Sequence, residues 1–360
     1  MLPEHFSGIT RHLSNSILKS GVYAYGFSLR KRSIIRRFSG NVPVRFIHKL
    51  KHIPPESPLL VWGSCHVPSE FVADEQIVRV EDGFLRSIGL GADLIKPLSL
   101  VADLRGIYYD PTKPSDLEHL LQTTEFRPEL IERASKLRLQ ITKNSLTKYS
   151  TGGNNWCRSS TCLQTGQRVI LVPGQVESDA SIRYGAPGIQ TNIRLLQAVR
   201  EENSNAYVIY KPHPDVVAGL RAKGQGEDSV QQWCDEFLVD VSIAQLLTEV
   251  DEVHVMTSLT GFEALLRGIK VTCYGQPFYS GWGLTKDIEP VSRRTRRLSL
   301  DMLVAGALIL YPTYVSKITG KITTPECAID DLLTWRAKTQ STLSLSRKVV
   351  RFAIKCFTKT

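Results

Sequence analysis

The sequence lacks an apolar run long enough to cross a bilayer. Its longest, Met302–Leu310, has a glycine inside it and is about half of the ~20 residues a spanning helix needs. The first twenty residues hold no long apolar core ahead of a small-residue cleavage site, so no secretory signal is expected. Paired cysteines are missing as well. The seven present are an odd number, scattered and without a CxxC pair. That argues against a disulfide framework or a zinc cluster, and for a reducing cytosol. No DxD pair and no His/Glu metal spacing occurs, so the chemistry is expected to use no metal and no other cofactor. No internal repeat is evident.

What is present suits two α/β domains of ordinary size: 360 residues, 42% hydrophobic and 22% charged, a composition that excludes wholesale disorder. The net charge of +10 is unevenly placed. Residues 1–60 carry ten Lys/Arg and two Glu, and residues 336–360 carry seven Lys/Arg and no acid, which leaves −5 for 61–335. A nucleic-acid binder puts its positive charge on the folded body among aromatics, so no nucleic-acid partner is expected. Basic ends on an acidic body fit attraction to an anionic surface, or plain solvated charge. In the tail, Val349, Val350, Ala353, Ile354 and Phe357 fall on one helical face, with Lys348, Arg351, Lys355 and Lys359 mostly elsewhere. Such a helix lies in a headgroup layer or docks on its own protein; the membrane surface is the preferred reading.

Leu59–Trp62 and Ile77–Val80 read as strands, the second running into Glu81-Asp82-Gly83. Ser115 reads as an N-cap with Glu118 as its box partner, and 128–148 has helical spacing. The Gly/Asn/Ser/Thr-rich stretch 151–166 reads as a linker. A second alternation follows: strands at Val169–Val172, Tyr207–Tyr210, Glu252–Met256 and Lys270–Tyr274, helices at Asn192–Glu201, Val241–Leu247 and Thr257–Leu266. Fully apolar strands alternating with helices argue for parallel sheets covered on both faces. The expected organisation is a basic segment 1–55, a Rossmann-like domain 56–150, the linker, a second Rossmann-like domain 167–335 and the tail 336–360, with a ligand cleft between the domains.

In open α/β sheets ligands meet the carboxyl ends of strands. The residues after the predicted strands are Glu81-Asp82-Gly83, Pro173–Asp179, Lys211-Pro212-His213-Pro214-Asp215, Thr257–Gly261 and Tyr274–Tyr279, all polar or glycine-bearing. Thr257, Ser258 and Thr260 place hydroxyls at a helix start, as an anion site or as ordinary caps. Lys211 and His213 add positive charge or donors for a phosphate, and flanking prolines restrict His213. Glu263, early in that helix, suits ribose hydroxyls or the helix dipole. Glu81, Asp82, Glu177 and Asp179 supply the carboxylates that sugar transfer needs as base or nucleophile, surface solvation being the alternative for each.

Four strings carry a resemblance: Arg79–Gly91 (RVEDGFLRSIGLG), Leu171–Ser181 (LVPGQVESDAS), Tyr210–Asp215 (YKPHPD) and Gly275–Gly283 (GQPFYSGWG). Together, over about 60–330, they resemble the capsule polysaccharide β-Kdo transferases of the KpsC type. The resemblance implies a GT-B fold, two Rossmann-like domains whose parallel sheets face each other across a cleft, and a retaining transfer of Kdo from CMP-Kdo to a lipid acceptor at the cytoplasmic face of the inner membrane. That acceptor is anionic and lysophospholipid-type, and the product is the linker on which capsule is built before export by further capsule assembly proteins. By position, His213-Pro214 matches the motif expected to meet the CMP phosphate and Asp179 the proposed nucleophile. Glu81-Asp82-Gly83 matches an acidic-Gly motif in which one acid acts as base. Asp179 and His213 are then expected to face each other across the cleft. Gln175, Arg183, Lys211, Thr257, Ser258, Thr260, Glu263 and Gln276 complete the expected substrate-binding set, with Arg183 a candidate for the Kdo carboxylate or for a surface ion pair. Many family members hold two transferase units and this chain has room for one, so another chain is expected to add the other linkage. The alternatives are a transferase of another CMP-sugar, such as sialic acid, and a non-catalytic assembly or export factor that binds a lipid-linked glycan.

Overall fold

The computed structural model describes residues 21–40, 42–54, 57–68, 70, 76–87, 95–148, 156–158 and 166–340. They form two compact units. The first takes the described residues of 21–87, 96–137 and 301–337; the second takes most of the remainder, those of 138–300.

The first unit is built on seven strands: β1 (Val22–Tyr25), β2 (Val44–Ile47), β3 (Leu59–Trp62), β4 (Ile77–Asp82), β5 (Ser99–Asp103), β12 (Pro312–Val315) and β13 (Ile322–Thr323), in the order β13-β12-β5-β4-β3-β1-β2. Strands β2, β1, β3 and β4 run parallel, whereas β5, β12 and β13 each run antiparallel to the neighbour before them. Helix α1 (Leu29–Phe38) starts at Ser28, whose side chain accepts from the Lys31 N–H. It lays Ile34, Ile35 and Phe38 against Val22, Ala24, Leu60, Val78 and Val80. Its basic residues take the other side, with the Arg32 and Arg36 guanidiniums 5.3 and 5.0 Å from the Phe46 ring. Helices α2 (Asp116–Thr123) and α3 (Pro128–Lys143) follow β5. Ser115 caps α2 by accepting from the Glu118 N–H at 3.0 Å, as its spacing predicts.

The second unit holds a six-stranded, wholly parallel sheet: β6 (Val169–Pro173), β7 (Tyr207–Lys211), β8 (Glu236–Phe237), β9 (Glu252–Val255), β10 (Lys270–Cys273) and β11 (Lys286–Asp287), ordered β11-β10-β9-β6-β7-β8. Its connections are α4 (Ala180–Gly185), α5 (Asn192–Glu202), α6 (Pro214–Val217), α7 (Ile243–Leu246) and α8 (Leu259–Leu265). Strand order steps outward on both sides of β6 and β9, so the two βα halves diverge there, the geometry that opens a crevice at strand ends. The chain then passes through α9 (Leu300–Val304) and a π-helix at Ala305–Leu310, and ends its described part in α10 (Pro325–Gln340). No helix among the described residues is long and apolar enough to cross a membrane.

Four sequence expectations are corrected. The described residues of the expected basic segment 1–55 are not a separate segment, because β1, α1 and β2 belong to the first sheet and its core. The charge on Arg30, Lys31, Arg32, Arg36 and Arg37 therefore belongs to a folded helix, not a tail. Residues 301–335 join the first unit, where β12 pairs with β5. The first sheet is mixed, since full burial on both faces marks a central antiparallel strand such as β5 as well as a parallel one. Glu81 and Asp82 lie within β4, paired with Val101 and Leu100, and not in a loop beyond it. Most of the linker 151–166, residues 88–91 of the first signature string and the amphipathic stretch after residue 340 lie outside the described residues.

One buried carboxyl ties the first unit together. Asp103, fully buried at the end of β5, accepts from the N–H groups of Arg105, Gly106 and Asp116 and from the Tyr311 hydroxyl at 2.9 Å. Burial, with Asp116 adding repulsion, raises its pKa to about 6, against the hydrogen bonds that favour the anion. A folded-state pKa above the unfolded one means that the folded chain holds the proton longer. Its contribution is greatest below about pH 4, falls as pH rises to about 6, and is flat beyond. Unfolding midpoints of the wild type are expected to drop between pH 4 and 6 relative to Asp103→Asn, whose own baseline is lower but lacks that slope. Parallel curves would refute the assignment.

Candidate active site

The carboxyl edge of the second sheet gathers the motifs after β6, β7 and β9. Strands β6 and β7 are paired neighbours, with Pro173 opposite Lys211, and the Gly174 N–H donates to the Lys211 carbonyl at 2.7 Å. The loop after β6 is braced by side chains. The Gln175 backbone exchanges two hydrogen bonds with the Asn192 amide, both at 2.9 Å. The Gln175 amide in turn grips Thr257, donating to its Oγ1 and accepting from its N–H, again at 2.9 Å. Glu177 accepts from the N–H groups of Asn192 and Gln225, both at 2.8 Å. Buried polar groups satisfied in this way hold a loop in one conformation. Gln175 and Glu177 thus position the loop that carries Asp179.

Asp179 sits at the N-cap of α4 but makes no side-chain cap bond. Its carboxylate pairs with Arg221, Nη2 to Oδ1 at 2.8 Å. Arg183, on α4, is exposed and has its guanidinium 5.6 Å from the Tyr184 ring centroid.

His213 is the N-cap of α6 and Pro214 its first residue, where a missing N–H costs nothing. The Asp215 N–H donates to His213 Nδ1 at 3.1 Å, so Nδ1 carries a lone pair and the proton of the neutral ring sits on Nε2. Burial lowers the His213 pKa, while Asp215 and Asp179 act in the other direction and Lys148 and Arg221 add to the lowering. The ring is therefore a neutral Nε2–H donor at pH 7. Asp179 and His213 share one edge of one unit, a correction to their expected placement on two facing lobes. Neighbouring strands β6 and β7 carry them both.

Other expected residues are placed differently. The Lys211 ammonium donates to the Val239 carbonyl at 3.0 Å, and burial lowers its pKa. Ser258 caps α8 by accepting from the Thr260 N–H at 3.2 Å, and its carbonyl accepts from the Tyr279 hydroxyl. Glu263 is buried and accepts from the Lys148 N–H at 2.7 Å, while Arg267 donates to the Leu146 carbonyl at 3.1 Å. These two side chains of the α8 region hold the segment that follows α3, and burial raises the Glu263 pKa. The Gln276 N–H donates to the Gly185 carbonyl at 2.7 Å. Beside it, a Cβ on Gly275 would lie 2.7 and 2.9 Å from the Gly185 and Met256 carbonyl oxygens, so that backbone approach requires glycine.

In the first unit, Glu81 and Asp82 stand among cations that the sequence reading did not single out. Asp82 Oδ2 pairs with Arg86 Nε at 2.6 Å, and the Asp82 N–H donates to Glu81 Oε1 at 3.0 Å. Glu81 Oε2 lies against Gly63, at φ +53°, where a Cβ would come within 2.9 Å of it and 3.0 Å of the Tyr109 hydroxyl. Lys31, from α1, has its ammonium 4.0 Å from the Trp62 ring centroid. Burial lowers its pKa, with Glu81 and Asp82 pulling the other way.

Arg221, Lys148 and Asn192 beside the strand ends, and Arg30, Lys31 and Arg86 around the Glu81-Asp82 pair, are the residues missed from sequence. Asn192, directly after a helix cap, carried a usable signal. Arg221 lies in a stretch without periodicity and carried none.

With this geometry in view, the comparisons with known proteins are informative. Residues 58–322 match the family model described as capsule polysaccharide biosynthesis protein. The capsule polysaccharide modification protein LipA of Neisseria meningitidis serogroup A is 45% identical over 330 residues, covering 89% of this chain and 46% of LipA. The lipopolysaccharide-processing protein LpsZ of Rhizobium meliloti is 46% identical over 257 residues, covering 71% of this chain and 58% of LpsZ. The chain thus spans a little under half the length of the LipA relatives it matches. Among solved structures, the β-Kdo 2,7 transferase of Thermosulfurimonas dismutans KpsC superposes with a TM-score of 0.73 at 42% identity, covering 88% of this chain and 99% of that one. The β-Kdo 2,4 transferase of the same KpsC gives 0.73 at 31% identity, covering 87% and 98%. The two α/β units are accordingly those of a GT-B-like Kdo-transferase fold, and the chain belongs to the capsule polysaccharide biosynthesis protein family.

Proposed function

We propose that this chain is a retaining β-Kdo transferase that moves Kdo from CMP-Kdo to a lipid-linked acceptor. The observation that carries the reading is the near end-to-end match to two KpsC Kdo transferases. The convergence of Asp179 and His213 at one sheet edge supports it. The higher identity to the 2,7 transferase, 42% against 31%, favours a 2→7 linkage.

In this mechanism the Asp179 carboxylate attacks the anomeric carbon of Kdo. A glycosyl ester forms, the sugar–phosphate bond breaks, and CMP leaves with the bonding pair. The neutral His213 Nε2–H donates to the departing phosphate, where charge builds up. An acceptor hydroxyl then attacks the same carbon, its proton passes to a carboxylate base, the role the resemblance gives to the Glu81-Asp82 motif, and Asp179 is released. Two inversions return the starting configuration. None of these steps calls on a metal ion. The lipid acceptor and the basic surface of the chain favour work at the inner face of the cytoplasmic membrane, beside other capsule assembly proteins.

The test is incubation of the purified chain with CMP-Kdo and a lysophospholipid glycoside, with or without a terminal Kdo. Product mass and anomeric configuration are then determined. A single β-linked Kdo is expected. An α-linked product overturns retention, and faster turnover of CMP-sialic acid overturns the donor assignment. Binding of the lipid glycoside without any transfer leaves the assembly-factor reading standing.

A further inference from the structure

Arg221 has no task in the mechanism above, yet the fold places it with care. The turn after α6 is tied back on itself: the N–H groups of Leu220 and Arg221 donate to the Asp215 carbonyl at 2.9 and 3.2 Å. One short segment, 213–221, therefore sets both the His213 ring and the Arg221 guanidinium beside the β6 loop. Arg221 Nη2 lies 2.8 Å from Asp179 Oδ1 and 3.3 Å from Ser178 Oγ. The Asp179 and Arg221 side chains are 48% and 42% exposed.

A pair this exposed is screened by water and contributes little to stability, so separating it costs little. A nucleophile bridged to a guanidinium is also held back, because its lone pair is engaged. A CMP-activated acidic sugar brings a phosphodiester and a carboxylate to the same edge. Either offers the guanidinium fork two oxygens in a less hydrated setting, where a bidentate contact is stronger.

We propose that Arg221 is a donor-binding residue that exchanges Asp179 for an anionic group of the nucleotide sugar, and that this exchange frees the Asp179 carboxylate for attack. The site then exposes its nucleophile only when the donor is seated. This inference rests on the transferase reading and adds a residue and an order of events to it.

The test uses binding without turnover. Dissociation constants for CMP-Kdo and for CMP are measured by calorimetry on Asp179→Asn and on Asp179→Asn/Arg221→Gln. The single variant is expected to bind CMP-Kdo at least as tightly as the wild type. The double variant is expected to bind it about tenfold or more weakly than the single one, as loss of a hydrogen bond between charged groups implies. A matching loss for CMP assigns the phosphate group as the partner; a loss for CMP-Kdo alone assigns the sugar carboxylate. Arg221→Lys in the same background, which keeps the charge but not the fork, is expected to recover part of the loss. Melting curves confirm folding, which the exposure of both side chains favours.

Equal affinities of the single and double variants for both ligands, in a chain whose wild type turns over CMP-Kdo, overturn this inference alone and leave Arg221 as a brace for the Asp179 loop. A wild type that binds neither CMP nor CMP-Kdo overturns the transferase reading and this inference together.

Discussion

Asp179→Asn is expected to abolish transfer while sparing donor binding, with kcat falling by about a thousandfold or more. The substitution is nearly isosteric, and the carboxylate makes no cap bond that the amide would lose. What it removes is the negative oxygen able to form a glycosyl ester. Intact-protein mass spectrometry after rapid quenching is expected to find a Kdo adduct on the wild type and none on the variant. A variant that retains a tenth of wild-type kcat would exclude Asp179 as nucleophile and leave it as the partner of Arg221.

The second large effect concerns His213. His213→Ala is expected to lower kcat/KM by about a hundredfold, as removal of one donor to a developing anion does elsewhere. The Asp215 N–H fixes the tautomer, and burial keeps the ring neutral through the physiological range. The ratio of wild-type to variant kcat/KM is therefore expected to stay constant between pH 7 and 8.5. A histidine that worked as an imidazolium would give a ratio falling about tenfold per pH unit above its pKa. Such a fall would overturn the neutral-donor assignment.

Much of the second unit was legible in the sequence. Val169–Val172, Tyr207–Tyr210, Glu252–Met256 and Lys270–Tyr274 are apolar runs that end in proline, glycine or hydroxyl residues, and each became a strand with a site loop at its end. A buried parallel strand must read this way, since both of its faces are covered. The His213-Pro214 pair read in sequence only as a histidine restricted by flanking prolines; that Pro214 starts α6 and His213 caps it came from the structure. The N-terminal strands β1 and β2 were obscured because each is four residues long and the helix between them carries five basic residues. Its apolar face, Ile34, Ile35 and Phe38, is only three side chains wide. The return of β12 to the first sheet pairs residues some two hundred positions apart, and no local pattern encodes that.

The side-chain roles divide along the same line. Gln175, Glu177, Ser258 and Glu263 read in sequence as polar groups at strand ends and helix starts, equally fit for ligand or for scaffold. In the structure they meet Thr257, Asn192, Thr260 and Lys148.

From sequence alone came the α/β class and the polar loops at the strand ends, because periodicity, caps and turn residues are local and act within a few positions; the choice of Asp179 and His213 among those loops came from the family resemblance. The tertiary structure decided that Asp179 and His213 share one sheet edge, that Arg221 holds the carboxylate, and that Lys31 and Arg86 stand beside Glu81 and Asp82. Those relations depend on strand order and on side chains brought together from distant positions, and the energy of such contacts exists only once the sheets have formed.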